Sequence, residues 1–441
     1  MENNKKLIKN ILTVGSGSSG VLLNDDLEDI ITFKHQDIKK NFDGNAIIDV
    51  DFDGMMGVAL SNNNQVYRFG ECDLVEGENK KRQIHKKPQL LKLNPKIQIT
   101  NIACGWNHAV IYNKISENPQ IFGFGSNTFG ELGLGKVQKK FINEPVQINL
   151  QTEKNNSKID FIHCGFRQTY VKLNNGDFYV TGQNKKFELG INIEQTKQTY
   201  DFIKNENQEI LAHLKNLKNN FQTGQKFVCF LDENNELYAW GDNKYKQISN
   251  KNEEIIQKIE KITDKKIQQF SLGWNHILAL QTDGHLYMRG RNDMGQLSHG
   301  TQNNIKNNKN QQLNNQNNQQ QQDNNNQQQK NQDQPQNQIQ ENITPIKKNI
   351  IQQNDVQQFE NKLLLNLKND EKIKQIACGS ECNYFLTNQH RVFAWGWNEH
   401  GNLGDGTLLN AYEIKEIGID SKCQHEEIKA KGAICYLIEK E

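Results

Sequence analysis

One pattern is written over and over in this chain. An apolar run ends in Cys-Gly or a lone Gly; an aromatic, a polar residue and often His follow; then a second apolar run closes on Gly-x-Asn-x-x-Gly. Repetition on this scale limits the chain to solenoids, propellers or arrays before any single residue is weighed. The clearest copy runs Ile102-Ala103-Cys104-Gly105-Trp106-Asn107-His108 and continues through Phe122-Gly123-Phe124-Gly125-Ser126-Asn127 to Gly130-Glu131-Leu132-Gly133. Close relatives begin at Gly165, Gly273 and Gly379 and weaker ones at Gly54 and Gly224, six complete copies in all.

A seventh copy is divided between the two ends. Gly432-Ala433-Ile434-Cys435-Tyr436-Leu437-Ile438 has the opening half of a repeat, and Ile11 to Gly20 has the closing half. A linear solenoid ends in polar capping repeats, so a repeat completed by both termini predicts a closed ring. Each unit reads as strands: Phe227-Val228-Cys229-Phe230-Leu231 and Leu237-Tyr238-Ala239-Trp240 flank Asp232-Glu233-Asn234-Asn235, a hairpin with turn residues that tolerate the left-handed region. Small sheets recurring about every fifty residues match propeller blades. The expected fold class is therefore all-β, a seven-bladed β-propeller closed by pairing of the N- and C-terminal segments.

Residues 1–300 are read as the first part of the propeller and 359–441 as its last blade and closing strands. Between them, residues 301–358 form a tract of Asn and Gln with scattered Lys and Asp. Such composition cannot bury enough apolar surface to offset the entropy of ordering, so a disordered insert is expected, placed between two blades where it leaves the ring intact.

Lys and Arg number 53 against 52 Asp and Glu, a formal net charge of +1. A nucleic-acid binder would show a basic excess, so no direct nucleic-acid partner is expected. Neither a signal peptide nor an apolar run able to span a bilayer is visible, which predicts no membrane insertion, a cytoplasmic or nuclear location and reduced thiols. Cys104, Cys164 and Cys378 occupy one slot before the repeat glycine and read as core thiols. Cys378 and Cys382 lack a second ligand pair at zinc spacing, so no metal and no other cofactor is expected. Gly15-Ser16-Gly17-Ser18-Ser19-Gly20 spells a dinucleotide fingerprint, but it aligns with the strand-turn motif at Gly125 and no helix follows to bind a phosphate.

His108 and His276 share one phase of the repeat and are read as blade fasteners whose ring nitrogen bonds backbone in the neighbouring strand. His400 follows Asn398-Glu399 in a different setting. Asn127, Asn184, Asn243, Asn292 and Asn398 recur in the Gly-x-Asn slot, where the side chain can bond the turn's backbone. Together with Gly105, Gly165, Gly273 and Gly379 these are structural repeat residues. No Ser, Cys or Asp stands with them at a spacing that makes a triad, so no catalytic residue is assigned. What varies between repeats carries function: Trp106, Trp274, Trp397 and Glu399 are the candidate partner-binding rim. Packing of each Trp against its neighbour blade is the equally weighted structural reading.

These motifs resemble those of the regulator of chromosome condensation family, whose repeats read Gly-x-x-His-x-x-x-Leu, then a strand, then Trp-Gly-x-Asn-x-x-Gly-Gln-Leu-Gly. Gly273 to Leu297 fits almost throughout, and Ala394-Trp395-Gly396-Trp397-Asn398-Glu399-His400-Gly401 is most similar to the last blade of the alpha-tubulin suppressor and secretion-regulating exchange factor branch. The resemblance implies a monomeric seven-bladed propeller with a face near the central channel that holds a protein. Two partner classes follow. One is a factor connected with wobble-uridine modification of transfer RNA or with diphthamide synthesis, held by a non-catalytic scaffold. The other is a small GTPase acted on by a guanine nucleotide exchange factor, which in the family uses a protruding wedge. No clear wedge is read here; the longer turn Tyr112 to Gln120 is the candidate. The basic tail of the chromatin form is also missing, since Met1 to Asn10 carries only three lysines.

Overall fold

The structure is a computed structural model that describes residues 5–74, 82–116, 120–136, 140–152, 157–215, 217–298, 359–361, 367, 370–419 and 424–441. Its strands form seven antiparallel sheets of four, arranged as a seven-bladed propeller. Blades 1 to 6 span 47–90, 101–147, 159–204, 217–261, 267–361 and 373–417, and each lays its strands side by side in chain order. The closing blade takes its inner strands from Glu427–Lys431 and Ile434–Lys440 and its outer strands from Ile8–Gly15 and Ile30–Gln36. Ile11↔Ile438 and Val14↔Cys435 pair the two ends of the chain, as the divided repeat requires. Phe52 of blade 1 stacks on Tyr436 of the closing blade with ring centres 4.0 Å apart, so the seam is packed as well as paired.

The second strand of a blade is covered on both faces by neighbouring sheets, and its sequence is accordingly apolar without alternation. Phe227–Asp232, His276–Gln281 and Cys382–Thr387 are buried at every position. The outermost strand meets solvent and alternates, as in Gln198–Lys204. The innermost strands leave one backbone edge facing the channel, the arrangement that invites stray pairing in an open sheet. Here polar side chains of the preceding blade occupy it. Asp51 accepts from the Cys104 N–H at 2.7 Å, Ser271 from the Cys378 N–H at 2.9 Å and Gln375 from the Ile428 N–H at 2.9 Å.

The glycine at or next to the end of the third strand in blades 2 to 6 has a local cause. Gly241 and Gly396 sit at φ +115 and +105, and a Cβ on either would lie 2.7 and 2.6 Å from a carbonyl oxygen of its own blade's first loop. Only glycine combines that backbone with that approach. The residue after it bonds the same carbonyl, as the Trp397 N–H does to the Glu381 oxygen at 3.0 Å. The first and third loops of every blade are thereby tied together at one end of the channel.

The tract 301–358 lies outside the described residues. It does not fall between two blades: Phe359–Asn361 pairs with Leu286–Gly290 as the outer strand of blade 5, so the tract interrupts that blade before its last strand. Among the described residues there are two short helices, Ile38–Asn41 and Gln208–Leu214. No described helix is long and apolar enough to cross a membrane.

Candidate functional site

Antiparallel connection puts the first and third loops of every blade on one face and the second loops on the other. Trp106 and Trp274 are in first loops and Trp397 and Glu399 in a third loop, so all four lie on the same face. They do not form one cluster. Trp106 and Trp274 meet across the channel mouth at 5.4 Å, and Phe166, from the first loop of blade 3, completes the group at 5.2 and 6.0 Å. Trp397 stands on blade 6 against His400 at 5.3 Å, with Glu399 exposed beside it. The other two tryptophans serve packing: Trp240 and Trp395 are fully buried, and each donates its indole N–H to a carbonyl of the preceding blade, Glu188 and Gln296.

Backbone bonds between successive first loops hold the mouth in shape. The Trp106 N–H reaches the Gly165 oxygen at 3.3 Å, the Trp274 N–H the Ser380 oxygen at 2.8 Å, and the Ser380 N–H the Gly432 oxygen at 2.6 Å. Gly54 is where Trp106 lies down, since a Cβ there would come within 2.1 Å of its ring. Phe166 lies outside the rim expected from sequence, and its repeat has Gln168 where that of Trp106 has His108. Its signal was an aromatic in the Trp106 slot.

Beyond the aromatic mouth, inward-facing positions two apart on neighbouring inner strands carry opposite charge. Asp49, Asp51 and Asp53 face Lys429 and Lys431, with Lys429 3.5 Å from Asp49 and Lys431 3.6 Å from Asp51 and 4.0 Å from Asp53. Lys5 closes the ladder on Asp49 at 2.7 Å. Burial pushes the Asp53 carboxyl up despite Lys431. Burial works against the charge of Lys431 too, yet Asp51 and Asp53 outweigh it and its ammonium is raised. A cavity of about 130 Å³ opens here, bordered by Asp53, His163, Thr223, Ser271, Trp274 and Lys431. The period-two spacing of Asp and Lys was visible in the sequence; which strands would face each other was not.

Asn127, Asn184, Asn292 and Asn398 each accept, through Oδ1, the N–H five residues on, at Leu132, Leu189, Leu297 and Leu403, over 2.8 to 3.0 Å. Gly105, Gly165, Gly273 and Gly379 directly follow the inner strands, and a Cβ at Gly273 would meet the His276 ring at 2.0 Å. His108 and His276 reach the next blade and bond side chains there, Thr169 Oγ1 and Asn383 Oδ1, each at 2.9 Å, with the Gln168 backbone also acting on His108. The backbone facing these rings is already paired in its own sheet, so the neighbour's side chain takes the role. His400 is a different device, bonding Asp29 of the closing blade at 2.8 Å from its third loop.

The turn after Tyr112 is a second loop, so it lies on the face opposite the tryptophans, and residues 117–119 are outside the described residues. A projecting element exists elsewhere. In blade 1 the third strand continues past Gly70 to Leu74, and Glu71↔Ile84 and Leu74↔Arg82 keep it paired with Arg82–Leu90. In blades 3 to 6 the third strand stops at the equivalent glycine or one residue later. The extra four residues carry a two-stranded ribbon roughly 13 Å further on the tryptophan face. Its tip lies outside the described residues.

Among the described residues no group of three or more His, Cys, Asp or Glu could hold a metal ion. Six cysteines, Cys104, Cys164, Cys229, Cys378, Cys382 and Cys435, are buried and free of disulfides, with thiols pushed up by burial. Such thiols are poor nucleophiles. The face offers shape, aromatic surface and charge.

Among known proteins, the chain is 23% identical to the ultraviolet-B receptor UVR8 of Arabidopsis thaliana over 83% of this chain and 69% of that protein. It is 24% identical to the secretion-regulating guanine nucleotide exchange factor of Mus musculus over 82% of this chain and 64% of that protein. It thus spans about two thirds of the length of either relative. Of solved structures, human WBSCR16 superposes with a TM-score of 0.71 at 15% identity, covering 98% of this chain and 100% of that one. Prp20p of Saccharomyces cerevisiae, characterised for its binding to Gsp1p and histones, does so with 0.70 at 18% identity, covering 100% and 93%. At these identities the superpositions speak for the fold alone. The model of the RCC1-like domain matches residues 10–433, a span that reaches into every blade, and the chain belongs to that family.

Proposed function

We propose that the chain is a non-catalytic RCC1-like propeller that scaffolds or regulates by holding a protein partner on the face around its channel mouth. The observation that carries this reading is the concentration there of half-buried aromatic rings: Trp106, Phe166, Trp274, Trp397, Phe129 and Tyr245. Large aromatics on a pre-shaped surface are the usual anchors of a protein interface. The finer expectation, a cytoplasmic partner tied to transfer-RNA wobble-uridine modification or diphthamide synthesis, belongs to this proposal. The partner is to be captured from lysate and identified by mass spectrometry. Trp397→Ala and Glu399→Lys should then weaken its binding by on the order of 2 kcal/mol while leaving the melting midpoint unchanged. Lower midpoints with undiminished binding by the folded fraction would make these residues packing elements and move the interface elsewhere.

The ribbon of blade 1 favours a second reading, exchange activity on a small GTPase, since it projects from the same face and one relative bears the name of an exchange factor. Release of a fluorescent guanine nucleotide from the captured GTPase measures it. A variant with the ribbon cut back to Gly70 and His85 should lose that release while keeping its melting midpoint. Equal release by both proteins would exclude the ribbon as the active element.

A further inference from the structure

The tryptophan face is not uniform in charge. Over blades 3 and 4 it carries Arg167, Lys185, Lys226 and Lys244, and among the described residues none of these has a carboxylate within 4.0 Å, whereas nearby Lys186 and Arg291 are paired with Asp242 and with Asp293 and Glu381. The contacts join this sector into one surface. The Arg167 guanidinium lies 4.0 Å from the centre of the Phe129 ring and 5.0 Å from that of Phe166. Phe166 lies against Trp274, whose carbonyl accepts the Gln225 N–H at 3.0 Å, and Lys226 comes next in the chain. The Lys226 carbonyl accepts the Asp242 N–H at 3.0 Å, and two residues on, Lys244 sits 5.5 Å from the Tyr245 ring. Of the acids in this sector, Glu131 and Glu188 are buried and engaged by their own loops, accepting from the Phe129 N–H at 2.7 Å and the Lys186 N–H at 2.5 Å, and the exposed Glu254 is held by Lys186 at 3.6 Å.

We propose that this basic, aromatic sector binds an acidic peptide segment of the partner, an inference that rests on the protein-interaction reading above. Arg167 and Lys226 act on the buried Glu131 and Glu188 only from beyond ion-pair distance, and Lys185 and Lys244 have no carboxylate within 4.0 Å among the described residues, so the sector keeps a positive field that favours an incoming anion. Isolated cations interleaved with Asp242 and Asp293 suit carboxylates on a peptide better than a nucleic-acid backbone, which needs a continuous basic stripe. A second copy of the chain is the poorer fit. The acids on the opposite sector are engaged within the chain, Asp29 by a hydrogen bond with His400 at 2.8 Å and Asp25 by the Lys40 ammonium at 2.7 Å.

The test uses the full chain and a fluorescein-labelled decapeptide of glutamates around one phenylalanine, followed by anisotropy. Binding should weaken about tenfold or more in Arg167→Ala and in the double variant Lys185→Glu/Lys226→Glu, and stay unchanged in Lys265→Glu, an exposed lysine on the opposite face. Should Arg167→Ala lower the melting midpoint, the exposed Lys244→Glu serves in its place. Equal binding by the sector variants, or none by the parent, overturns the inference. So does tighter binding of a ten-nucleotide thymidine strand that the same variants abolish, or a dimer in light scattering that they disperse. Capture of the partner that depends on Trp397 but not on the basic sector would sink this inference and leave the interface reading standing; dependence on neither sinks both.

Discussion

The imidazole of His276 is wholly buried, and burial lowers it to about 4, so it is neutral and its Nε2 is shared with Asn383 of the next blade at 2.9 Å. Truncation to alanine removes the link between two blades and leaves a buried amide short of a partner, a loss of about 1–3 kcal/mol. His276→Ala should lower the urea midpoint accordingly and affect partner binding only through the folded fraction. His108 and His163, both pulled down by burial to about 3, and His425, to about 4, add a pH dependence. These rings titrate near 6.5 in the unfolded chain. Between that value and the folded ones the unfolded state holds more protons, so their contribution is complete above about pH 6.5 and is lost as the pH falls toward 4. Urea midpoints measured from pH 7.5 down to 5 should therefore decline; a flat profile would count against buried neutral histidines. The slot of His108 and His276 was readable from the repeat. Their partners were not, because Thr169 and Asn383 are 61 and 107 residues away and belong to blades whose facing sides only packing defines.

At the scale of elements, two features of blades 1 and 5 escaped the repeat. The ribbon of blade 1 runs through Glu71-Cys72-Asp73-Leu74, where the usual Asn-x-x-Gly turn is missing. Absence of a turn motif in one copy was the signal, and only pairing with Arg82–Leu90 turns that absence into a structure. The outer strand of blade 5 lies beyond the Asn and Gln tract, and at three residues it is too short to announce itself. It sets an expected outcome. Replacing residues 301–356 with a short Gly/Ser linker should leave the melting midpoint nearly unchanged, because the cost of closing a loop grows slowly with its length. Extending the deletion through Asn361 should lower the midpoint and promote aggregation by uncovering the edge of Leu286–Gly290. Identical behaviour of the two deletions would refute the pairing.

For the molecule as a whole, stability rests on one blade assembled from both ends. Ile8–Gly15 supplies the third strand of the closing blade, Lys9 and Asn10 bind Glu439, and Tyr436 bonds the Val21 carbonyl. A protein starting at Gly20 would lose that strand and detach Ile30–Gln36, exposing the edge of Ile434–Lys440. Its thermal midpoint should fall by several degrees or more, with aggregation on heating, since the remaining sheets cannot close the gap without stretching the first-loop bonds around the mouth. An unchanged midpoint would defeat closure as a source of stability.

The repeat dictates its own local chemistry: a glycine where the third strand crosses its neighbour, an asparagine that closes the loop from one side chain, an apolar second strand covered on both faces. Those requirements act within about twenty residues, so seven copies, the divided blade and the family resemblance could all be read along the chain. Which residues meet across the ring is another matter. Trp106, Phe166 and Trp274, the Asp and Lys ladder of the channel and the basic sector around Arg167 come from different blades. The angle between consecutive sheets decides their distances, and that angle is set by side-chain packing between blades, so only the tertiary structure could assemble them.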